Sequence, residues 1–375
     1  MFEFKGGIQT FSRLLCEALA DGLPQTPQHI FSLHDRCAPR QAPNQQYHCA
    51  GRVPRQARFL TYGAQLMGWG LWQRPQLILT THLNLAVVAR RLKQITGTPY
   101  WIVAHGFESW HISKPQVLDA LTHADRVLAV SHFTRNQLIA RYGLNPDQVS
   151  VFPNTFEASR FQIAPKPQHL LDRYGLQRDQ PILLTVNRLA AGESFRPYDQ
   201  VLKALPAIQA VIPNVHYLIV GNGDDRERLA AEIRQRQLEG AVTLTGFVPD
   251  EDLPDHYNLC DLYTMPSKLE GFGIVFLEAL ASGKPVLASA SDGGQDAVCN
   301  GKLGILVDPE DVAAIAAQTI QILQKRCLHP LLYQPEALRQ AVIGTYGKAQ
   351  FRQNLLGELS QLAPQPDPGL AQWAS

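Results

Sequence analysis

Glu270-Gly-Phe-Gly-Ile-Val-Phe-Leu-Glu278 follows a short apolar run that ends at Met265, and it leads into a helical pattern. Its glycines, Gly271 and Gly273, let the backbone approach a ligand closely. The unpaired N–H groups and the dipole at a helix start favour an anion. Glu278 lies about one turn into the helix, where a carboxylate can accept hydrogen bonds from two ribose hydroxyls. The stretch predicts a phosphate and ribose site, although a glycine-rich helix entry with two solvated glutamates fits the spacing equally well.

Outward from this stretch, short apolar runs alternate with helical patterns along most of the 375 residues. The alternation predicts βαβ units and parallel sheets, and the length favours two domains. It pauses over residues 155–180, which we interpret as an interdomain linker. We therefore predict two doubly wound, Rossmann-like α/β domains with a ligand in the cleft between them. The predicted strands are 76–80, 100–104, 126–130, 149–152, 182–186, 217–220, 242–245, 262–265, 285–288 and 304–307.

Composition argues against several classes of function. Lys plus Arg number 34 and Asp plus Glu number 33, so the net charge of +1 gives no indication of nucleic-acid binding. The six cysteines form no C-x-x-C pair, and Asp250-Glu-Asp252 opens a predicted helix, so we expect no metal site. No apolar run reaches membrane-spanning length and no signal peptide is visible, which favours a cytoplasmic protein. The apolar stretch around Tyr62, Trp69 and Trp72 fits a helix that touches a membrane, but core packing is the favoured interpretation.

The segment Glu270-x7-Glu278, followed by Ala279-Leu-Ala-Ser-Gly283-Lys-Pro285-Val286, resembles the signature of the retaining group 1 glycosyltransferases, which have the GT-B fold. This family includes bacterial mannosyl-, glucosyl- and N-acetylglucosaminyltransferases. The resemblance covers nearly the whole chain and is densest over residues 183–307. It implies transfer of a sugar from a nucleoside-diphosphate sugar to an acceptor hydroxyl with retained anomeric configuration, in polysaccharide, lipopolysaccharide or glycolipid synthesis.

The resemblance also implies partners and domain roles. We expect a nucleotide-sugar donor, a carbohydrate, lipid-linked or small-molecule acceptor, no cofactor or metal, and a place in the cytoplasm that extends to the inner face of the membrane. The acceptor-side domain would span 1–160 and the nucleotide-sugar domain 161–335. Helices over 336–362 would pack back toward the first domain, and 363–375 would be a frayed tail. Only Met1 to Lys5 precede Gly6, so we expect either a stub strand at Phe2–Phe4 or a truncated or mis-started N-terminus that lacks the first strand.

Donor-site roles follow residue by residue from the resemblance. Glu270 would face the donor sugar, and Glu278 would hold the ribose. The backbone at Phe272, Gly273 and Ile274 would meet the sugar and the diphosphate, with Val275 as a further candidate.

Two arginines would clamp the diphosphate. Relatives read Gly-Arg-Leu and then a lysine and a glycine, where this chain has Asn187-Arg188-Leu189, Arg196 and Pro197. Arg196 keeps the charge, but its planar fork does not copy the geometry of an ammonium group. Both arginines could instead be surface residues at the ends of elements. As a clamp, they would stabilise the negative charge of the departing diphosphate.

Three further positions match weaker parts of the family pattern. Gly6 and Gly7 resemble the glycine-rich loop that meets the diphosphate and the acceptor. His105, at a strand end, would contact the donor sugar, and a structural hydrogen bond is the alternative. Phe247 would lie beside the base.

Two rival functions share parts of the same sequence pattern. A non-catalytic nucleotide-sugar-binding or scaffold protein would keep the same fold, and Arg196 together with the short N-terminus allows it. A dinucleotide-dependent oxidoreductase is disfavoured, because Gly221-x-Gly223 lacks a third glycine.

Overall fold

The computed structural model describes residues 6–36, 42–192 and 195–362. The stub strand predicted at Phe2–Phe4 and the tail over 363–375 lie outside these residues. The chain divides into two compact units, Met1–Thr155 with Lys348–Ser375, and Phe156–Gly347. The first unit thus ends at Thr155, whereas the sequence placed the boundary after residue 160.

Helices and strands alternate through most of both units. The first unit contains α1 Gly7–Gly22, β1 Gln28–Ser32, β2 Gln45–Cys49, α2 Arg55–Gln73, β3 Ile78–Thr80, α3 Leu83–Thr96, β4 Tyr100–Ala104, α4 Phe107–Trp110, α5 Pro115–Thr122, β5 Arg126–Ala129, α6 His132–Tyr142 and β6 Val149–Val151. The second contains α7 Gln168–Tyr174, β7 Ile182–Val186, α8 Pro197–Gln209, β8 His216–Val220, α9 Arg226–Gln235, β9 Val242–Gly246, α10 Leu253–Leu259, β10 Leu262–Met265, α11 Ile274–Ala281, β11 Val286–Ser289, α12 Gly294–Ala297, β12 Ile305–Val307, α13 Val312–Leu323 and α14 Pro335–Tyr346. Helix α15, Lys348–Leu359, returns to the first unit.

The first unit is built on a parallel sheet in the order β3-β4-β5-β6, with a separate parallel pair β1-β2. Strand β4 is buried along its whole length, as expected for a parallel strand covered on both faces. Helix α15 packs beside α1, where the ring of Phe351 lies 5.6 Å from Phe11 and 4.7 Å from Phe152. These contacts fix the end of the described chain in this unit.

The helical segment expected over 336–362 is divided between the units. Gly347 takes an extended conformation, with φ −67° and ψ 163°, and this ends α14. Helix α14 packs on α11 in the second unit, whereas only α15 packs in the first. The expectation that the whole segment packs on the first domain is therefore wrong for α14 and holds only for α15.

The second unit has a six-stranded parallel sheet in the order β12-β11-β10-β7-β8-β9. Its first strand, β7, lies in the middle, and the chain builds outward to β9 on one side before it crosses over to β10. In a doubly wound sheet, ligands bind outside the carboxyl ends of the strands where the strand order reverses. The β7/β10 pair is that point.

The two Rossmann-like α/β bodies predicted from the alternation are confirmed, and each predicted strand overlaps a strand of the structure. None of the described helices combines the length and hydropathy that crossing a bilayer requires. The described cysteines are free thiols.

Candidate functional site

The reversal point of the second sheet carries several of the residues that the sequence predicted for the site. Strand β7 ends at Val186, and Asn187 and the exposed Arg188 follow at once. The neighbouring strand β10 ends at Met265 and leads into the loop that contains Glu270. Because β7 and β10 are parallel and adjacent, Arg188 and the Glu270 loop follow the same edge of the sheet.

A Gly-Asn-Gly turn supports the loop that carries Arg188. A Cβ at Gly221 would lie 1.8 Å from the carbonyl oxygen of Asn187, and one at Gly223 would lie 1.9 Å from that of Leu189. Two backbone bonds reinforce the contact: Leu189 N–H donates to Asn222 at 3.1 Å, and Asp225 N–H donates to Leu189 at 3.1 Å. Gly221 and Gly223, which do not form a dinucleotide-binding motif, are thus required for close backbone packing beneath Arg188.

The loop after β10 enters α11 through a left-handed glycine. Gly273 has φ 87°, and a Cβ there would lie 2.4 Å from the ring of Phe276. Helix α11 has no side-chain cap. The backbone N–H groups of its first turn, at Ile274 and Val275, have no carbonyl acceptor within the helix and are suited to bind an anion. Glycine is needed at 273 for both its backbone conformation and the lack of space.

Glu278 lies half-buried on α11 and accepts a hydrogen bond from the hydroxyl of Tyr257 on α10 at 2.8 Å. Burial raises the pKa of Glu278 to about 7, and the Tyr257 hydroxyl and the Arg160 guanidinium oppose that rise. Tyr257 is fully buried, so it holds the carboxylate in one orientation. Sequence reasoning missed Tyr257, because nothing local in the sequence places α10 beside α11.

A second buried carboxylate holds the Glu270 loop. Asp292 follows β11 and is inaccessible to solvent. Its Oδ2 accepts from the hydroxyl of Ser267 and from the N–H of Glu270 at 3.1 Å, and its Oδ1 accepts from Gly294 N–H at 2.9 Å. Burial raises the pKa of Asp292 to about 7, against these hydrogen bonds.

The residue after Asp292 completes this support. Gly293 N–H donates to the carbonyl of Glu270 at 2.9 Å. The backbone of Glu270 is thereby bonded on its N–H and on its C=O side. Sequence reasoning missed this segment, although Asp292-Gly293-Gly294 at the end of a strand was a signal that could have been used.

Arg196 is engaged within the protein. It precedes α8, and its Nε lies 3.2 Å from Oδ2 of the buried Asp225, while Nη1 lies 3.9 Å from Asp199. Its Nη2 also donates to the carbonyl of Ala191 at 2.6 Å. Arg228 pairs with the same two carboxylates, at 2.6 Å and 2.8 Å. Arg196 would have to share these partners with a diphosphate.

Phe247 follows β9 and is 65% exposed. The preceding Gly246 has φ 79°, which turns the chain out of the strand. Asp250, further along this loop, accepts from the guanidinium of Arg160 through its carbonyl, and its charge raises the pKa of Glu278. The loop that carries Phe247 therefore runs on toward the Glu278 environment.

Three predicted residues lie in the first unit. Gly6 and Gly7 begin α1 and are exposed. His105 follows β4; its Nε2 lies 3.2 Å from the carbonyl of Thr81, and its ring packs edge-on against Phe11 at 4.8 Å. Burial lowers the pKa of His105 to about 3, so the imidazole is neutral at pH 7.

The segment after His105 is held by a carboxylate as well. Glu108 accepts from the N–H of His105 at 2.7 Å, and burial raises the pKa of Glu108. The structural hydrogen bond considered as an alternative for His105 is thus present. The structure groups Arg188, Arg196, Phe247, the Glu270 loop and Glu278 in the second unit, and the roles of all the site residues stay predictions.

Two family models match the chain. The model described as glycosyl transferases group 1 matches residues 169–341, and the model for glycosyltransferase family 4 matches residues 5–160. Together they cover parts of both units.

Curated relatives match at moderate identity. A GDP-mannose-dependent alpha-(1-6)-phosphatidylinositol monomannoside mannosyltransferase of Mycolicibacterium smegmatis is 33% identical over 56% of this chain and 57% of its own length. Its counterpart from Mycobacterium tuberculosis is 30% identical over 64% of this chain and 65% of its own length. A D-inositol 3-phosphate glycosyltransferase of Thermobispora bispora is 31% identical over 56% of this chain and 50% of its own length. The chain therefore spans less than two thirds of each of these relatives.

Solved structures match over nearly the full length. HepE of Anabaena, in complex with UDP and glucose, has a TM-score of 0.73 and 19% identity, over 95% of this chain and 96% of that one. A sucrose-phosphate synthase of Thermosynechococcus elongatus has a TM-score of 0.73 and 23% identity, over 95% and 94%. At these identities the likeness concerns the fold.

Proposed function

We propose that this chain, which the group 1 and family 4 glycosyltransferase models match over residues 169–341 and 5–160, transfers a sugar from a nucleoside-diphosphate sugar to an acceptor hydroxyl. The observation that supports this most is the placement of the Glu270 loop, Glu278 and Arg188 at the reversal point of the second sheet. The uncapped start of α11 takes the diphosphate, and Glu278 accepts hydrogen bonds from the ribose.

Catalysis follows from charge. When the bond between the sugar C1 and the phosphate oxygen breaks, the nucleoside diphosphate gains negative charge. Arg188 and the first amides of α11 stabilise that charge more in the transition state than in the ground state. Each charge-assisted hydrogen bond contributes about 1.5–3 kcal/mol. Arg196 adds a second cation if its contact with Asp225 loosens. With this charge available, the reaction proceeds without a metal ion or a cofactor.

We propose that the anomeric configuration is retained. A double displacement needs a carboxylate free to attack C1. Asp292 is inaccessible and already accepts three hydrogen bonds, and Glu278 lies on the ribose side of the proposed site. Glu270 alone then remains beside the donor sugar, without the second carboxylate of a glycosidase pair, so we propose same-face attack in which the departing phosphate oxygen takes the acceptor proton. Glu270 then orients the donor sugar.

The relatives suggest where to begin with substrates. Two are named for GDP-mannose and a phosphatidylinositol mannoside, and the crystallised HepE binds UDP. We propose a hexose donor and a carbohydrate or lipid-linked acceptor, with the protein in the cytoplasm and in contact with the inner face of the membrane. A protein that only binds nucleotide sugars is the rival function.

The test is a screen of GDP-mannose, UDP-glucose and ADP-glucose for release of the nucleoside diphosphate, followed by NMR of the product's anomeric centre. The expected result is turnover of at least one donor with retention, and its loss in Glu270→Gln. Glu336→Gln, on the exposed side of α14, is the matched control. Binding without turnover of any donor would favour the non-catalytic rival, and an inverted product would rule out the retaining mechanism.

A further inference from the structure

Helix α2 has an apolar face in solvent as well as one in the core. Tyr62, Leu66 and Gly70 are buried, and a Cβ at Gly70 would lie 2.1 Å from Leu92 of α3. On the remaining surface, Leu60 is 75% exposed and Trp72 is 84% exposed. The sequence favoured core packing for this stretch. The structure shows that only one side of the helix packs.

The exposed side carries no charge. No charged residue stands between Arg58 and Arg74, whereas the solvent face of a helix in a globular protein is normally rich in charged residues. Small and apolar residues recur there at intervals of three and four, and a Cβ at Gly68 would meet nothing within 4 Å. We name as the α2 outer face the residues Ala57, Leu60, Ala64, Gly68, Leu71 and Trp72.

The stretch of sequence that contains this helix is basic. Over residues 36–107 the sequence has nine Lys and Arg and no Asp or Glu, in a chain with a net charge of +1. Arg90 and Lys93 pair with Asp119 and Asp125 of neighbouring segments. Arg55 and Arg74, at the two ends of the face, form no ion pair within the described residues, whereas Arg58 donates to the carbonyls of Gly51 and Val53.

We propose that the α2 outer face docks on an anionic phospholipid surface, with the helix lying in the plane of the headgroups. Trp72 and the leucines would enter the headgroup and acyl boundary, and the flanking arginines would contact lipid phosphates. A second copy of the same face would bring arginines against arginines, which disfavours a symmetric dimer. This proposal identifies the surface for the membrane contact proposed above, and it does not depend on sugar transfer.

The experiment is co-sedimentation of the full chain with vesicles of phosphatidylcholine alone or with about 30% phosphatidylglycerol. We expect partitioning onto the anionic vesicles at least tenfold above that onto the neutral ones. The double variant Leu60→Gln/Trp72→Gln should lower it at least tenfold. Leu328→Gln, at an even more exposed leucine of the second unit, should bind like the wild type. Both positions of the double variant are exposed, so its melting temperature should not change.

A second variant tests the charge. Arg55→Gln/Arg74→Gln should bind several-fold more weakly and should respond less to added salt, because fewer phosphate contacts are screened. Absence of wild-type binding to anionic vesicles, or unchanged binding in the leucine–tryptophan variant, would overturn the proposal. So would a wild-type dimer that this variant converts to a monomer. Nucleoside-diphosphate release without vesicles, measured on the same preparations, separates failure of this proposal from failure of the proposed transfer reaction.

Discussion

Gly293→Ala tests whether the segment after β11 sets the position of the Glu270 loop. The alanine Cβ would lie 2.0 Å from the carbonyl oxygen of Gly271 and 2.3 Å from its carbon, where ordinary contact begins at 3.4 Å. Both atoms are backbone, so the loop has to retreat by about 1.4 Å, the difference between ordinary contact and the oxygen distance. A misplacement of about 1 Å near reacting groups costs about a hundredfold in rate. We therefore expect kcat/KM for the donor to fall about a hundredfold.

The assay is steady-state release of the nucleoside diphosphate, with the melting temperature recorded in parallel. Overpacking should also destabilise the unit by about 1–3 kcal/mol. Gly344→Ala is the control, because Gly344 lies within α14 and a Cβ at this position would meet nothing within 4 Å. It should keep wild-type kinetics and gain up to about 1 kcal/mol of stability. Wild-type kcat/KM in Gly293→Ala, with an unshifted melting temperature, would refute the positioning role.

Three further predictions concern the charges of the site. Donor affinity should weaken about tenfold per pH unit below pH 7, because the pKa of Glu278 is about 7 and only its ionised form accepts two ribose hydrogen bonds. Tyr257→Phe removes a hydrogen bond to that carboxylate, so titration calorimetry should show the fall in donor affinity beginning at a higher pH. Arg188→Ala should lower kcat/KM about tenfold to a hundredfold, the equivalent of one charge-assisted hydrogen bond. Arg196→Ala should mainly lower the melting temperature, because the buried Asp225 loses a partner. A larger loss of kcat/KM in Arg196→Ala than in Arg188→Ala would show that Arg196 is the principal diphosphate clamp. Burial raises the pKa of Asp292 above its unfolded value, so the stability that its protonated form contributes is present below about pH 4 and is lost as pH rises through about 7. The melting temperature of Asp292→Asn should therefore rise relative to that of the wild type between pH 5 and pH 8. A difference in melting temperature that stays constant over this range would contradict the raised pKa.

The sequence predicted the sheets well where strands are continuous apolar runs. Ile182–Val186 and Leu262–Met265 were predicted to the residue, because both are fully apolar or β-branched stretches bounded by polar residues or proline. Strands β1 and β2 were missed. Gln28–Ser32 and Gln45–Cys49 contain glutamines and histidines, and much of their length is only half-buried, so they lack a buried-strand pattern.

The candidate site was predictable as far as local motifs extend. The stretch from Glu270 to Glu278 predicted both its glycine turn and the helix that follows. Asp292 and Tyr257 could not be found in this way, because their contacts depend on which strands and helices become neighbours. The pairing of Arg196 with Asp225 is likewise long-range. Local sequence patterns predicted which residues bind the ligand, and tertiary packing decides which other residues hold them in place.

Calorimetric titration of the wild type and Glu278→Gln with GDP- and UDP-sugars tests the central claim most directly, namely that the Glu270–Glu278 segment binds the donor. At pH 8 the wild type should bind at least one of these donors. Glu278→Gln should bind it at least about tenfold more weakly, the equivalent of about 1.4 kcal/mol, with its melting temperature no lower than that of the wild type. Wild-type affinity in the variant, or binding of no nucleotide sugar by the wild type, would contradict the claim.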